Sequence, residues 1–113
     1  MTGIGLLEWK REFKMLKIEK KIEDGNCVIA LEGRLDTVTS PDLEKEIEAS
    51  KEELKDLVLD LEKLEYISSS GLRVLLAAQK IMNKQGAMKV INVGGPIMEI
   101  FEVTGFSDIL TIE

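Results

Sequence analysis

The chain has 113 residues, 44% of them apolar and 32% charged, a composition typical of one globular domain and not of a disordered segment. Its formal net charge of −6 argues against nucleic acid and against an anionic membrane surface as partners. Cys27 is the single cysteine and no apolar run approaches the roughly 20 residues that span a bilayer, so we expect no internal disulfide and a cytoplasmic location.

The chain begins with an N-terminal extension that is followed by a predicted β-hairpin. In the extension, residues 1–14, the apolar residues Leu6, Trp9 and Phe13 recur at helical spacing and predict a helix. From Met15 onward the segment MLKIEKKIE is typical of a half-buried strand, and a second strand, CVIALEG, follows after the turn sequence DGN. We therefore place the main domain at residues 15–113.

Helices and strands alternate in the middle of the chain. Residues 39–42, TSPD, supply a capping hydroxyl, a proline and an early acid, and so predict the start of an amphipathic helix that runs to Ser50. The apolar run LVLDL, residues 57–61, predicts a short central strand. The serines of residues 68–71 begin a second helix, for which we expect Gly86 to be the C-cap.

The final part of the chain predicts one more strand and one more helix. The strand is AMKVINV, residues 87–93, and the helix begins after Gly94-Gly95-Pro96 and ends at Gly105. The segment ILTIE is a candidate for a last edge strand. The order β-β-α-β-α-β-α, with or without that strand, predicts a single α/β domain. Its sheet is mixed and mostly parallel, with four to five strands and the helices packed against it.

The residue types restrict the chemistry that is available. The chain contains no histidine, which removes Ser-His-Asp and Cys-His pairs and most zinc sites, so we expect a binding protein without catalysis, metal or cofactor. Cys27 has apolar neighbours in a strand and is predicted to be a buried structural thiol. Asp36 ends the second strand, where a carboxylate either caps a turn or faces a partner.

One loop is a candidate functional site, and we call residues 66–72, YISSSGL, the serine loop. Three hydroxyls stand there at the start of a helix, where free N–H groups and the helix dipole favour an anion. The alternative is simple N-capping, for which one serine is enough. The other glycine-rich loop, Gly94-Gly95-Pro96, lacks the lysine of a P-loop and the spacing of a dinucleotide fingerprint, so we interpret it as a turn.

Three segments together resemble the STAS domain family, particularly bacterial anti-sigma factor antagonists. The run LVLDLEKLEYISSSGLRVLLAAQKIMNKQG is similar to the family signature, in which a strand ending in Asp-Leu precedes Asp-Ser-Ser-Gly-Leu at a helix start. The segment LEGRLD, residues 31–36, resembles the family's Leu-x-Gly-x-Leu-Asp, and residues 94–106 resemble its closing helix with the Gly-Phe pair after it. The resemblance covers residues 15–113 in the same order.

The resemblance implies a role in partner switching. In that family the antagonist binds an anti-sigma factor that is also a serine kinase, is released when the kinase phosphorylates it, and is reset by a phosphatase. In the family motif the phosphorylated serine directly follows the aspartate. This serine corresponds to Ser69 in this chain. Because a partner packed over Ser69 would also meet the surface next to it, we expect the remainder of the switch loop and partner interface at Asp36, Ser68, Ser70, Gly71 and Leu72.

One position departs from the family pattern and keeps other functions open. Ser68 stands where these antagonists commonly carry an aspartate that assists the kinase reaction. This departure favours an alternative, in which the domain is a STAS interaction module that is not phosphorylated and serves as a scaffold or partner subunit. A small-molecule or nucleotide-binding domain is a third hypothesis, but Arg73 is the only basic residue close to the loop in sequence. The sequence does not indicate an oligomeric state.

Overall fold

The structure, a computed structural model, describes residues 15–113 as a sheet of four strands with three helices. The predicted helix in residues 1–14 lies outside the described residues. The strands are β1 (Leu16–Glu23), β2 (Asn26–Leu35), β3 (Asp56–Ile67) and β4 (Ala87–Ile91). The helices are α1 (Ser40–Ser50), α2 (Ser69–Gln85) and α3 (Gly95–Thr104), and a 3-10 turn, Phe106–Asp108, comes last. The predicted α/β class and the order of elements are confirmed.

The sheet is mixed and mostly parallel, as predicted. Its spatial order is β1-β2-β3-β4, with β1 antiparallel to β2 and the other two pairs parallel. The hairpin turns at Asp24 and Gly25, both of which have positive φ (53° and 84°). This is the two-residue turn whose twist matches that of the strands it joins. The turn therefore fixes the register that brings the start of β1 level with the end of β2.

The sheet has one covered face and one open face. On the covered face, alternate side chains of the strands form the core with α1, α2 and α3, and they include Cys27, Ile29, Leu31, Leu57, Leu59, Leu61, Met88 and Val90. The other face carries the residues between them. We call this the open face, because no helix within residues 15–113 covers it, and its members include Lys17, Glu19, Val28, Ala30, Glu32, Val58, Asp60 and Lys89.

Strand β3 is longer than the sequence pattern predicted. It continues from LVLDL to Ile67, and beyond Leu61 its buried residues, Leu64 and Ile67, recur every third position instead of every second. The cause is the pairing with β2, whose register shifts at two places. Gly33 lies at one of these shifts with φ of 108°, and a Cβ there would overlap the carbonyl of Met15. The extra length carries β3 up to the serine loop.

The end of α2 and the last two segments of the chain differ in detail from the predictions. Gly86 follows α2 as its C-cap, but its φ of 176° is ordinary extended backbone. Glycine is needed there because a Cβ would overlap the carbonyl of Lys55. Strand β4 ends at Ile91, two residues earlier than predicted, and the segment ILTIE forms a single parallel bridge between Ile112 and Val90 instead of a strand.

Cys27 is buried in the covered face, as the sequence predicted. Only 1% of its surface is exposed, and this burial raises the pKa of its thiol. A buried thiol that resists ionisation is a poor nucleophile, since the thiolate is the reactive form. Cys27 is therefore a packing residue.

Candidate functional site at the serine loop

The serine loop lies beside the loop that joins β2 to α1. Because β2 and β3 are parallel, their carboxyl ends meet at the same edge of the sheet. The backbone N–H of Ser68 donates to the carbonyl of Leu35 at 2.9 Å and joins the two strand ends directly. The fold thus brings together Asp36 and the serine loop, which are 30 residues apart in sequence.

Gly71 lets α2 begin directly against these strand ends. A Cβ at this position would lie 2.8 Å from Cγ1 of Ile67 and 2.9 Å from the carbonyl oxygen of Leu35. Real Cβ atoms do not approach other heavy atoms so closely, so the motif needs glycine for packing. The next residue, Leu72, is only 8% exposed and belongs to the core. Gly71 and Leu72 therefore position the loop from beneath.

The three serines of the loop have different surroundings. Ser68 is the N-cap of α2, and its Oγ accepts a hydrogen bond from the N–H of Gly71 at 3.4 Å. The Oγ of Ser70 lies 3.3 Å from the Oγ1 of Thr37, within hydrogen-bonding distance. Ser69 begins α2 and is exposed, and its hydroxyl has no hydrogen-bond partner within residues 15–113. Of the three, Ser69 is the hydroxyl that is free to react.

Asp36 holds the neighbouring loop in a hydrogen-bonded turn. Its Oδ1 accepts from the N–H groups of Val38 and Thr39 at 3.0 and 3.1 Å. Thr39, which is fully buried, accepts from the N–H of Asp36 and donates to the carbonyl of Arg34 at 2.8 Å. The hydroxyl of Thr39 is thus used in this turn and does not cap α1, although α1 begins at Ser40 as predicted.

Arg34 connects the two loops from the outside, a role that the sequence analysis missed. Its guanidinium carbon lies 4.2 Å from the centre of the Tyr66 ring, and its Nε lies 3.7 Å from Oδ2 of Asp36. Stacking of this kind contributes about 0.5–1 kcal/mol at an exposed site. Arg34 and Tyr66 are direct partners in the register of β2 and β3, but this pairing comes after two register shifts. The sequence does not reveal these shifts, so it could not have predicted the stacking.

The surface around the loop combines exposed apolar side chains with a polar groove. Val38 is 63% exposed and Tyr66 is 38% exposed. Beside them, between α1 and α2, is an open groove of about 390 Å³ whose lining includes Thr37, Ser70 and Arg73. Exposed apolar residues next to hydrogen-bonding groups are typical of protein interfaces. The arrangement is that of a docking surface more than of a closed ligand pocket.

Neither a metal site nor a membrane-spanning helix is found among the described residues. Within residues 15–113 no three His, Cys, Asp or Glu side chains are grouped so as to hold a metal ion. Over the same range no helix is both long enough and apolar enough to cross a membrane. The polar groups at the loop are its hydroxyls, the N–H groups at the start of α2 and two nearby arginines, Arg34 and Arg73.

The fold and the loop define a class of protein: a two-layer α/β domain that presents an exposed serine at a helix start. The family model of the STAS domain matches residues 17–113, and the chain belongs to this family. It is 35% identical over 91 residues to BtrV of Bordetella bronchiseptica, whose assigned role as an anti-sigma factor antagonist is provisional, covering 79% of this chain and 78% of BtrV.

A second relative and a solved structure agree with this assignment. The anti-sigma F factor antagonist of Paenibacillus polymyxa is 30% identical over 100 residues, and the match covers 86% of each chain. The crystal structure of an anti-sigma factor antagonist from Mycobacterium paratuberculosis superimposes with a TM-score of 0.79 at 27% identity. That superposition covers 88% of this chain and 86% of the other. The similarity therefore extends over nearly all of the described domain.

Proposed function

We propose that this protein is a cytoplasmic anti-sigma factor antagonist, which binds an anti-sigma factor with serine kinase activity and is released when Ser69 is phosphorylated. A phosphatase restores the binding form. The observation that carries the proposal is the state of the three serines. Ser68 and Ser70 have neighbours within hydrogen-bonding distance, whereas Ser69 is exposed and its hydroxyl is unpaired within residues 15–113. The relatives' names supply the kind of partner.

Phosphorylation of Ser69 would change the charge of the surface much more than its shape. It adds roughly −1.5 to −2 charges at neutral pH, at a helix start where the dipole tolerates an anion. The turn at Asp36 and the bond from Ser68 to Leu35 involve neither the hydroxyl nor the backbone of Ser69, so the loop keeps its shape. A partner packed over the loop would have to bury an unpaired dianion, which costs several kcal/mol, and about 1.4 kcal/mol is already tenfold in affinity.

The proposed interface follows from which site residues are accessible. Ser69 is exposed, Asp36 is half-buried, and Val38 and Tyr66 provide apolar contact area beside them. Gly71 and Leu72 act in the proposal as supports, because both are buried.

A second candidate function is a STAS interaction module without phosphorylation. Ser68 favours it, because this residue replaces the aspartate that assists the kinase reaction in the antagonists that the sequence resembles. A nucleotide-binding function has less support, since one of the two nearby arginines, Arg34, is engaged with Tyr66 and Asp36. The two interaction hypotheses predict the same surface and differ only in whether Ser69 accepts a phosphate.

The first experiment measures the intact mass of the protein after incubation with ATP and the host's candidate anti-sigma kinases. Addition of one phosphate that is lost in Ser69→Ala and kept in Ser70→Ala supports the proposal. A phosphate that persists in Ser69→Ala refutes the assignment of the site. No phosphate with any kinase that binds the protein supports the constitutive module instead.

The second experiment separates the effect of charge from the effect of side-chain shape. Ser69→Asp and Ser69→Asn differ in charge and hardly in size. Calorimetric titration with the kinase that binds the unmodified protein should show that Ser69→Asp loses affinity by at least about tenfold and that Ser69→Asn loses little. Equal affinities for the two variants would contradict an interface that lies over Ser69.

A further inference from the structure

The open face of the sheet carries its charges in alternating rows. Side chains that are register partners across the strands form four rows, which begin at Lys17, Glu19, Lys21 and Glu23 of β1. Successive rows are about 6.7 Å apart along the strands. The charged residues of the first and third rows are Lys17, Lys63, Lys21 and Lys89, with Glu32 as one acid among them. Those of the second and fourth rows are Glu19, Asp60, Glu23 and Asp56, so the net charge changes sign from each row to the next.

The middle of the face places an exposed apolar side chain beside a hollow. Val28, in the third row, is 42% exposed and is paired with Val58 of β3. Ala30 follows it on the same strand in the second row and lines a hollow of about 160 Å³. Glu62, which lies at the register shift between the first two rows, is also part of its wall. If the third row of one molecule lay over the second row of another, the valine would fill the hollow.

We propose that two copies of this chain pack through their open faces, related by a two-fold axis that lies across the strands between the second and third rows. This axis places each strand over the same strand of the other copy in the opposite direction. The first row then faces the fourth and the second faces the third, so every positive row meets a negative one. Val28 of each copy enters the hollow over Ala30 of the other.

The individual residues that face each other agree with the rows. The facing pairs are Lys17 with Glu23, Glu19 with Lys21, and Lys63 with Asp56, and each occurs twice because the contact is symmetric. Within a single copy, Lys17 already pairs with Glu19 at 3.2 Å, but both side chains are exposed and such a pair contributes little. Among residues 15–113, Lys21 and Glu23 have no ion-pair partner in the single copy, so the second copy would supply it.

The charge pattern also selects the occupant and its orientation. A two-fold axis along the strands would place each row on itself, so that rows of the same net charge would meet. The axis across the strands is therefore the favoured one. A pattern that complements itself about such an axis is what a contact between identical molecules requires, whereas a contact with a different protein does not require it.

The face is large enough for a weak dimer. Four strands about 4.8 Å apart and four rows about 6.7 Å apart give roughly 500 Å² per copy. Two copies would bury about 1,000 Å², which is at the lower limit of specific interfaces. Twisted sheets pack in this aligned way in β-sandwiches, about 10 Å apart. Because the interface is small and charged, we expect a dissociation constant in the micromolar range that rises with salt.

The proposed dimer leaves the serine loop open. The loop lies at the carboxyl ends of β2 and β3, beyond the first row. Since the strands of the two copies run in opposite directions, the two loops lie at opposite ends of the dimer, roughly 50–60 Å apart. Dimerisation therefore covers neither loop and does not depend on phosphorylation of Ser69.

Sedimentation equilibrium of the full chain, between about 1 µM and about 1 mM, measures the dimer. We expect a concentration-dependent equilibrium whose dissociation constant rises several-fold between low and high salt. Lys21→Glu places a carboxylate opposite Glu19 of the second copy at two symmetric positions, and should weaken the dimer by at least about tenfold. Glu19→Lys should do the same with two ammonium groups. The control Lys80→Glu makes the same change in net charge as Lys21→Glu at an exposed position of α2, and should leave the dimer nearly unchanged.

Mixing the two variants tests which residues face each other. In a mixed dimer the two lysines of the Glu19→Lys copy face the two glutamates of the Lys21→Glu copy. The dimer should therefore return on mixing, at a concentration where neither variant forms it alone. A role of these residues in the stability of the single copy would not produce this recovery.

Each contrary result overturns the proposal. A chain that stays monomeric at every concentration does so, whatever covers the face instead. A dimer that Lys21→Glu does not weaken has its contact elsewhere, and one that Lys80→Glu weakens equally reflects net charge alone. Variants that stay monomeric when mixed refute the facing of residues 19 and 21. If either variant fails to fold by circular dichroism, dilution of the unmodified protein in NMR must shift the methyl signals of Val28 and Val58 and leave those of Val103 unchanged.

Discussion

Replacing Gly71 by alanine tests whether close packing fixes the serine loop. In a helix alanine is ordinarily more stable than glycine by about 1 kcal/mol, so propensity alone predicts a gain. The structure predicts a loss. The added Cβ would lie 2.8 Å from Cγ1 of Ile67 and 2.9 Å from both Cγ and the carbonyl oxygen of Leu35. The two side chains can move, but the carbonyl belongs to the end of β2 and cannot move without the loop.

The expected magnitude follows from these opposing effects. Overpacking of a well-filled site costs about 1–3 kcal/mol, which exceeds the gain in propensity. With an overpacking cost near the middle of that range and a propensity gain of about 1 kcal/mol, we expect Gly71→Ala to lower the free energy of unfolding by about 1 kcal/mol, a fall in Tm of roughly 4–8 °C for a domain of this size. Gly95→Ala is the matched control, because a Cβ there meets no heavy atom within 4 Å and its φ is not positive. It should gain about 0.4–1 kcal/mol.

Urea denaturation followed by circular dichroism measures both variants under the same conditions. The midpoint should fall for Gly71→Ala and rise slightly for Gly95→Ala, with unchanged slopes. Gly86→Ala extends the series, since its Cβ would overlap a carbonyl, and it should be the least stable of the three. If Gly71→Ala proved as stable as the unmodified protein, the contact with Leu35 would not explain the glycine of the motif.

The remaining predictions concern the cap of α2 and the buried thiol. Ser68→Ala should lower the free energy of unfolding by about 0.5–1 kcal/mol in urea denaturation, because the N-cap of α2 is lost. Ser68→Asp should be at least as stable as the unmodified protein, because a carboxylate also caps the helix and interacts favourably with its dipole. Cys27 should resist iodoacetamide in the folded protein and react when urea unfolds it. Because burial raises the pKa of Cys27 above its ordinary 9.0, folded protein holds this proton more tightly, so stability should fall as the pH rises above about 9, and less so in Cys27→Ala.

Each of these expectations has a contrary result. Equal stability of Ser68→Ala and Ser68→Asp would mean that the 3.4 Å bond from Gly71 to Ser68 contributes nothing. Rapid alkylation of Cys27 at a rate independent of urea would show that β2 opens readily. An identical fall in stability above pH 9 with and without the thiol would assign that fall to other groups.

The sequence predicted the elements whose signals are local. The turn at Asp24 and Gly25, the start of α1 at residues 39–42 and the end of α3 at Gly105 all appear where the residue types indicated. In each case the preferred backbone conformation of one or two residues determines the boundary. The burial of Cys27 could also be predicted from the sequence, because its neighbours in the strand are apolar.

The parts that the sequence could not predict depend on contacts between distant segments. The second half of β3 was missed because two register shifts replace the alternating pattern with buried residues at every third position. The stacking of Arg34 on Tyr66 depends on the same shifts. Gly86 was correctly placed at the helix end, but its close approach to Lys55 is set by a segment 31 residues away. The position of the serine loop was predictable, whereas the different surroundings of its three hydroxyls were not.

The bridge at Val90 also affects how the molecule can be handled. The N–H of Val90 donates to the carbonyl of Thr111, and the carbonyl of Val90 accepts from Glu113, so the last residues occupy hydrogen-bonding groups on the outer edge of β4. An unoccupied sheet edge recruits strands from other molecules and promotes aggregation. The opposite edge strand, β1, carries several lysines, whose charges disfavour such pairing. Truncation before Thr111 would uncover the edge that has less charge to protect it, so expression designs should retain this tail.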